Sequence, residues 1–202
     1  MKKHALLLLA SISLFGGCTD HVRSSFEPPD EQEPVPDDTV FYETVVTLGP
    51  DGPQISEPRP ITAASQREQN QLRLAIERGE VPETAYRILD GACDGASLWL
   101  FSRMDWTGDK ICFRGCGSMI LRDLIRYVNV NGQPVPIGYW ESSTGSYWPG
   151  ADRGVLVGNV GSYGSSWIPF SAWGTRGRFN LGGMTIDGIG VGYTVQGELC
   201  PD

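Results

Sequence analysis

From residue 97 onward the apolar residues come in short runs: SLWLF (97–101), KICF (110–113), VLV (155–157) and IGVGYTV (189–195). Gly, Ser, Asn and Asp separate them, and short apolar runs bounded by turn formers predict β-strands. Glycine, serine and aromatics dominate from Tyr86, and all six tryptophans fall between Trp99 and Trp173. The pattern predicts an all-β domain over residues 86–202. Upstream, VFYETVVTL (40–48) is β-branched and aromatic and runs into the turn signal GPDGP (49–53), which predicts a short hairpin or an edge strand. The stretch PITAASQREQNQLRLAIERGE (60–80) carries the helical pattern. Thr62 caps a helix over residues 63–78, or Ser65 with Glu68 forms a capping box, and Gly79 ends it. Its apolar face is narrow, with Leu72, Ala75 and Ile76 set among Gln and Arg. That face predicts a surface or spacer helix within a connecting segment, residues 40–85.

Aligned on itself, the β region repeats at one offset. Trp106-Thr107-Gly108 recurs 42 residues on as Trp148-Pro149-Gly150, Gly132 recurs as Gly174, and Phe101 has a counterpart near Tyr139 or Trp140. Each unit reads aromatic strand, turn, short apolar strand, longer polar loop, then a strand ending at glycine. Two such units, neither able to bury its apolar face alone, are expected to pack on one another.

The spacing aromatic-x4-aromatic-x-Gly, present as Phe101, Trp106 and Gly108, resembles the folded-hairpin signature of the βγ-crystallin Greek keys. The resemblance covers roughly residues 93–174. It implies two Greek-key units, with Phe101 packed over its hairpin and Gly108 in a backbone conformation that side chains disfavour. Residues 175–202 lie outside both units and are expected to add strands. On this reading LFSRMDWTGDKICF (100–113) is architecture: Asp105 and Asp109 flank a tight turn, where short polar residues belong on conformational grounds.

Charge divides the chain further. The net charge of −8 is concentrated before the β region: residues 19–39 hold seven Asp/Glu against one Arg, while residues 86–202 hold ten against nine Lys/Arg. A nucleic-acid binder needs a basic face, so that class is excluded. At the N-terminus two lysines precede an apolar run, Ala5 to Phe15, about half the ~20 residues that cross a bilayer; it reads as a signal-peptide core over residues 1–17. Phe15-Gly16-Gly17-Cys18 resembles the bacterial lipobox, which implies cleavage after Gly17 and acylation of Cys18. The Pro-rich acidic stretch that follows, residues 18–39, buries too little surface to offset its ordering entropy and reads as an extended tether. The expectation is an exported lipoprotein held at a membrane of the cell envelope.

Four cysteines remain, Cys93, Cys112, Cys116 and Cys200. An even count in an exported chain predicts two disulfides, with three connectivities open. The spacings contain no CxxC pair, which disfavours a Cys₄ metal site. Both histidines, His4 and His21, precede residue 40, so the β region has none of the nucleophile systems or zinc sites that require one. Asp105, Asp109, Asp123, Glu141, Asp152 and Asp187 would have to converge for a paired-carboxylate hydrolase; scattered loop carboxylates usually solvate a surface, and no enzyme and no cofactor are expected. Many microbial βγ-crystallins bind calcium through an acidic or amide pair followed by Ser/Thr-Ser. Ser142-Ser143 and Ser165-Ser166 supply the hydroxyls, but Gly138-Tyr139 and Gly161-Ser162 stand where the acidic pairs belong, and RDLIRY (122–127) keeps only Asp123. Calcium takes six to eight oxygens, so the pattern leaves a weak site at most.

A non-catalytic binding or structural domain is therefore the expectation. The chain also resembles the small microbial proteinase inhibitors built on a βγ-crystallin scaffold, which implies a rigid loop offered to a protease. GQPVPIG (132–138) and GSYGSSWIPF (161–170) are the candidates, since proline lowers the ordering cost of binding. Alternatively Trp140, Tyr147, Trp148 and Trp167 form an aromatic platform for a glycan or another partner, the competing role for each being to fill a small core.

Overall fold

The computed structural model describes residues 34–82, 93, 96–159, 165–178, 185–194 and 197–198. Cys18, Cys200, the signal segment, most of the tether and residues 161–164 lie outside them. The described part is all-β with one helix. In chain order it runs β1 (Val40–Leu48), β2 (Gln54–Ile55), β3 (Arg59–Thr62), α1 (Ala63–Glu77), β4 (Leu98–Phe101), β5 (Lys110–Gly115) and β6 (Gly117–Ile120). It continues with β7 (Ile125–Val130), β8 (Gln133–Tyr139), β9 (Ser146–Pro149), β10 (Gly154–Asn159), β11 (Ser165–Phe170) and β12 (Gly177–Arg178). The last elements are β13 (Thr185–Val191), β14 (Tyr193–Thr194) and β15 (Gly197–Glu198), which pair with each other.

Two sheets carry the fold. The first has the order β12-β9-β4-β5-β1-β2, with β3 also on β1; the second has the order β11-β10-β13-β6. Eight strands form two interlocked quartets. β4, β5 and β9 share the first sheet while β6, which precedes β9 in the chain, sits beside β13 in the second. Likewise β10, β11 and β13 share the second sheet while β12 lies beside β9 in the first. Read from the exchanged strand, the two orders match position for position. Hairpin β7–β8 is an insertion before the last strand of the first quartet.

This topology replaces the 42-residue repeat. Trp106 lies in the β4–β5 turn, whereas Trp148 lies on β9, the fourth strand of the same quartet. The two are neighbours and not equivalents: Trp106 donates its indole N–H to the Tyr147 carbonyl at 3.2 Å, and the two rings meet edge-on at 5.9 Å. Trp140 opens a short 3-10 turn before β9 and is no counterpart of Phe101. Glycine is abundant enough in this chain for the offset to match by chance.

β1 is also not an edge strand. It pairs in parallel with β5 from Glu43↔Lys110 to Leu48↔Gly115 and antiparallel with β2 and β3 on its other side. The alternation of side chains along a strand then splits the first sheet cleanly. Leu98, Leu100, Ile111, Phe113, Val46 and Leu48 face the second sheet and meet Leu156, Ile186, Ile189 and Val191 in an aliphatic core. Trp99, Phe101, Cys112, Val45 and Trp148 face the other way and meet Ile76 of α1.

α1 begins as expected, with the Thr62 hydroxyl accepting from the Ser65 amide. It is not a spacer. Its buried residues are Ala63, Gln66, Gln69, Asn70, Arg73 and Ile76, a stripe at three- and four-residue spacing that lies on one helix face. The polar side of the helix is the docked side. Gln66 holds both backbone groups of Gly108, donating to its carbonyl at 2.6 Å and accepting from its amide at 3.1 Å. Asn70 donates to the Trp106 carbonyl at 2.7 Å. Lys110, fully buried, donates to Gln69 at 2.8 Å and pairs with buried Glu43, which Arg59 also contacts. The Arg73 guanidinium lies 4.5 Å from the Trp99 ring centroid. Cys93–Cys112 is one disulfide and closes a 19-residue separation beside this layer. Cys116 is disulfide-bonded as well, to a partner outside the described residues.

Candidate binding sites

The β4–β5 turn joins Phe101 to Lys110 and carries Trp106 and Gly108. Phe101 is buried, Ser102 donates its amide to the Asp109 carbonyl at 2.9 Å, and Arg103 donates to the Thr107 carbonyl at 3.2 Å. Gly108 has φ +95°, and a Cβ there would fall 2.4 Å from the Ser102 hydroxyl, so glycine is required on both counts. Gly150 is required for another reason: its Cβ would overlap the Ala96 carbonyl. Asp109 is structural. It accepts from the Tyr42 amide at 3.1 Å, and Arg126 donates twice to its Oδ2, at 2.9 and 2.8 Å. Burial raises its pKa above the usual carboxylate range, and the Arg126 and Tyr42 bonds oppose that rise.

The six carboxylates do not converge. Asp105 bonds Thr107 within its own turn, Asp152 accepts from Ser97 at 2.6 Å, Asp187 accepts from Thr185 at 3.2 Å, and Asp123 is exposed on a separate 3-10 turn. Among the described residues no group of three or more His, Cys, Asp or Glu is placed to hold a metal ion. At the calcium-like positions, the Ser143 hydroxyl donates to the Tyr139 carbonyl at 2.9 Å.

Nor do the four aromatics form a platform. Trp140 is 2% exposed and Tyr147 packs against the aliphatic core, while Trp148, 1% exposed, sits in the helix-side layer. Adjacent positions on β9 point to opposite faces, so Tyr147 and Trp148 cannot share a surface. Burial raises the Tyr147 pKa. Trp167, 53% exposed, stands on edge strand β11 of the second sheet. Large aromatic rings stabilise chiefly by burial, and three of these four are used that way.

GQPVPIG is a strand and not a loop. β8 pairs with β7 from Val130↔Gln133 to Ile125↔Tyr139, and Asn131-Gly132 forms a two-residue turn with φ +53° and +81°. Positive φ at both central residues is the type I′ hairpin geometry that Asn-Gly favours, a dipeptide signal the sequence carries in plain view. Every residue of β8 is exposed, and Ile125, Val130, Val135, Ile137 and Tyr139 leave large apolar side chains in solvent. From Tyr127 to Tyr139 there is no charged residue. Pro134 and Pro136 have no N–H to give β7, so they occupy alternate positions where the amide would point off the outer edge. The hairpin is an apolar blade whose edge is closed to further strand pairing. Arg126 on Asp109, and the Trp140 amide on the Leu124 carbonyl at 3.0 Å, fix its base.

A second candidate was not foreseen. A cleft of about 500 Å³ opens between the end of α1, the β4–β5 turn and the segment before β12, lined by Glu77, Trp106, Trp173, Gly174, Thr175 and Arg176. The Arg176 guanidinium lies 4.7 Å from the Trp106 centroid and 5.0 Å from that of Trp148, and 3.4 Å from Glu77. Burial raises the Glu77 pKa, against the pull of Arg176, the nearby Trp148 indole and the charge of Arg78. Among the described residues three non-glycines have positive φ: Asn131, Trp106 (58°) and Trp173 (48°). Asn131 belongs to its turn. For a bulky side chain this region costs about 1–2 kcal/mol, and both strained tryptophans wall the same cleft. No sequence signal marks that convergence, because the three segments lie far apart in the chain.

In comparisons with protein-family models, curated proteins and solved structures, nothing matches this chain. No helix among the described residues is long and apolar enough to cross a membrane.

Proposed function

We propose that this chain is an exported, lipid-anchored cell-envelope protein whose βγ-crystallin-like domain is a non-catalytic binding module, engaging a protein partner through hairpin β7–β8. The observation that carries the reading is the hairpin itself: uncharged from Tyr127 to Tyr139, exposed along its whole second strand, and pinned at its base by Arg126. Contiguous exposed apolar surface on a soluble domain marks interaction sites, and a preformed hairpin loses little entropy on binding. The exchange of β6 and β12 between the two quartets supports the Greek-key reading of the domain. The lipobox-like Phe15-Gly16-Gly17-Cys18 supports the anchor.

Photo-crosslinking in intact cells tests the function. A crosslinker at Ile137 is expected to capture one discrete partner, and the same group at Trp167, equally exposed on the second sheet, none. Failure at Ile137 removes the hairpin as the binding element. Acylation is tested separately, by loss of labelled fatty acid in Cys18→Ala.

Protease inhibition is the second reading, supported by the two prolines that stiffen β8. They also delete two outward amides, so an inhibitor on this scaffold would dock through side chains and carbonyls and not as an added strand. Saturable, stoichiometric inhibition of a serine or metalloprotease, abolished by deleting residues 128–136, would convert the partner class to a protease.

A further inference from the structure

We infer that the tryptophan cleft is a glycan-binding site, taking a neutral hexose unit between Trp106 and Trp173 with Glu77, Thr175 and Arg176 as its polar contacts. The inference is independent of the hairpin. Two observations meet at this place. One is the cleft, whose volume of about 500 Å³ falls in the range of small-ligand sites. The other is the pair of left-handed tryptophans: of the three described non-glycines with positive φ, Asn131 is of the residue type such turns favour, whereas the two bulky ones, each set in a turn, both line it. Strained residues of this kind persist where surrounding structure imposes them, and they concentrate at ligand sites. Trp106 is imposed upon by Asn70, Tyr147 and Arg176; Trp173 donates its amide to the Gly150 carbonyl at 2.8 Å and packs against Trp99 in a tilted pair with centroids 6.0 Å apart.

The chemistry of the lining selects the ligand class. Glu77 and Arg176 are paired, so the cleft lining carries no net charge, and Arg78, next to Glu77 in the chain, is matched by Glu80 at 2.8 Å. A phosphate, a nucleotide or a polycation would each need an excess of one sign, and the overall charge of −8 opposes nucleic acid as well. A sugar ring needs the opposite arrangement: an apolar wall for its C–H face and fixed donors and acceptors for its hydroxyls. The indoles supply the wall, the Glu77 carboxylate accepts, the Arg176 guanidinium donates, and the exposed Thr175 hydroxyl can do either.

Titration calorimetry of the full chain with cellohexaose and chitohexaose tests this. Saturable binding of at least one is expected, lost in Trp173→Ala and weakened about tenfold or more in Glu77→Gln, which removes a charged acceptor while keeping its shape. Trp167→Ala, on the far sheet, is expected to bind as the parent does. Melting curves identify any variant that fails to fold; if Trp173→Ala does, Glu77→Gln decides alone. No binding of either sugar, binding retained in a folded Trp173→Ala or in Glu77→Gln, or binding that follows Trp167 would each overturn the assignment.

Discussion

The first sheet is covered on both faces, by two layers of opposite chemistry. Between the sheets, Leu98, Leu100, Ile111, Phe113, Leu156 and Ile189 form a core of apolar side chains. Under α1 the same strands present Trp99, Phe101 and Trp148 together with Glu43 and Lys110, and the helix answers with Gln66, Gln69, Asn70 and Arg73. The aliphatic layer is held by apolar area and shape, which tolerate rearrangement as long as volume is kept. The helix layer is held by directional bonds. Gln66 bonds both the amide and the carbonyl of one residue, Gly108, and Asn70 bonds the carbonyl of Trp106, two residues before it. A helix docked in this way can occupy only one register, and that register shapes the β4–β5 turn and brings Glu77 to the tryptophan cleft.

The largest effects are expected where the two layers are broken outright. Phe113→Ala leaves a cavity in the aliphatic core and is expected to cost about 3–5 kcal/mol in chemical denaturation. Lys110→Ala is expected to cost about 3 kcal/mol or more, because it leaves buried Glu43 with only the half-exposed Arg59 as partner. The layers then part company. Replacing the polar cluster together, Glu43→Leu with Lys110→Met and Gln69→Leu, is expected to fall within about 1 kcal/mol of the parent or above it. A triple variant as unstable as Lys110→Ala would mean that the charges contribute net stability, and that the contrast between the layers is one of composition only.

Arg73 offers a finer cut. Fully buried, it donates to Asn70 at 2.6 Å and stacks between Trp99 and the Phe101 and Trp148 rings. Arg73→Ala loses the stem packing and the cation–π contact, and about 2–3 kcal/mol is expected. Arg73→Met keeps the stem and should recover roughly half of that. Equal losses in the two variants would assign the whole effect to the guanidinium.

The same contrast explains what could be read from the chain. The aliphatic layer was legible, because SLWLF, KICF and VLV announce strands by composition and the alternation along them is enforced by the pleat. Thr62, Gly79 and the turn glycine Gly108 were legible too, since capping and positive φ are local requirements. The helix layer was not. Gln66, Gln69, Asn70 and Arg73 have helical spacing, but a polar stripe at that spacing ordinarily faces water; only the unpaired peptides of the distant β4–β5 turn make it a docking face. GPDGP marks the short hairpin that β1 and β2 do form, but nothing local reveals the parallel partner in β5, more than sixty residues away, that keeps β1 off the edge. The aromatics misled for a related reason. Trp140, Trp148 and Trp167 look alike in sequence, and burial separates them only after β9 and β11 have been assigned to different sheets.

The smallest predicted effect is the one that ties stability to the cleft. Glu77 has its pKa raised from 4.5 by burial. The folded state therefore binds this proton more tightly than the unfolded chain does. Stability from this group is fully present below pH 4.5 and is lost as pH rises through the higher folded value. Asp109, raised from 3.8, acts in the same direction, so some of the slope will survive any change at Glu77. Glu77→Gln is accordingly expected to flatten the fall in stability between acid and neutral pH, and to be no less stable than the parent at pH 7. Urea midpoints at pH 4, 5, 6 and 7 would measure it. A variant that is instead weaker at pH 7 by more than it is at pH 4 would mean that Arg176 and Trp148 outweigh desolvation. The carboxylate would then be a brace between α1 and the segment before β12, held there for stability and not for a ligand.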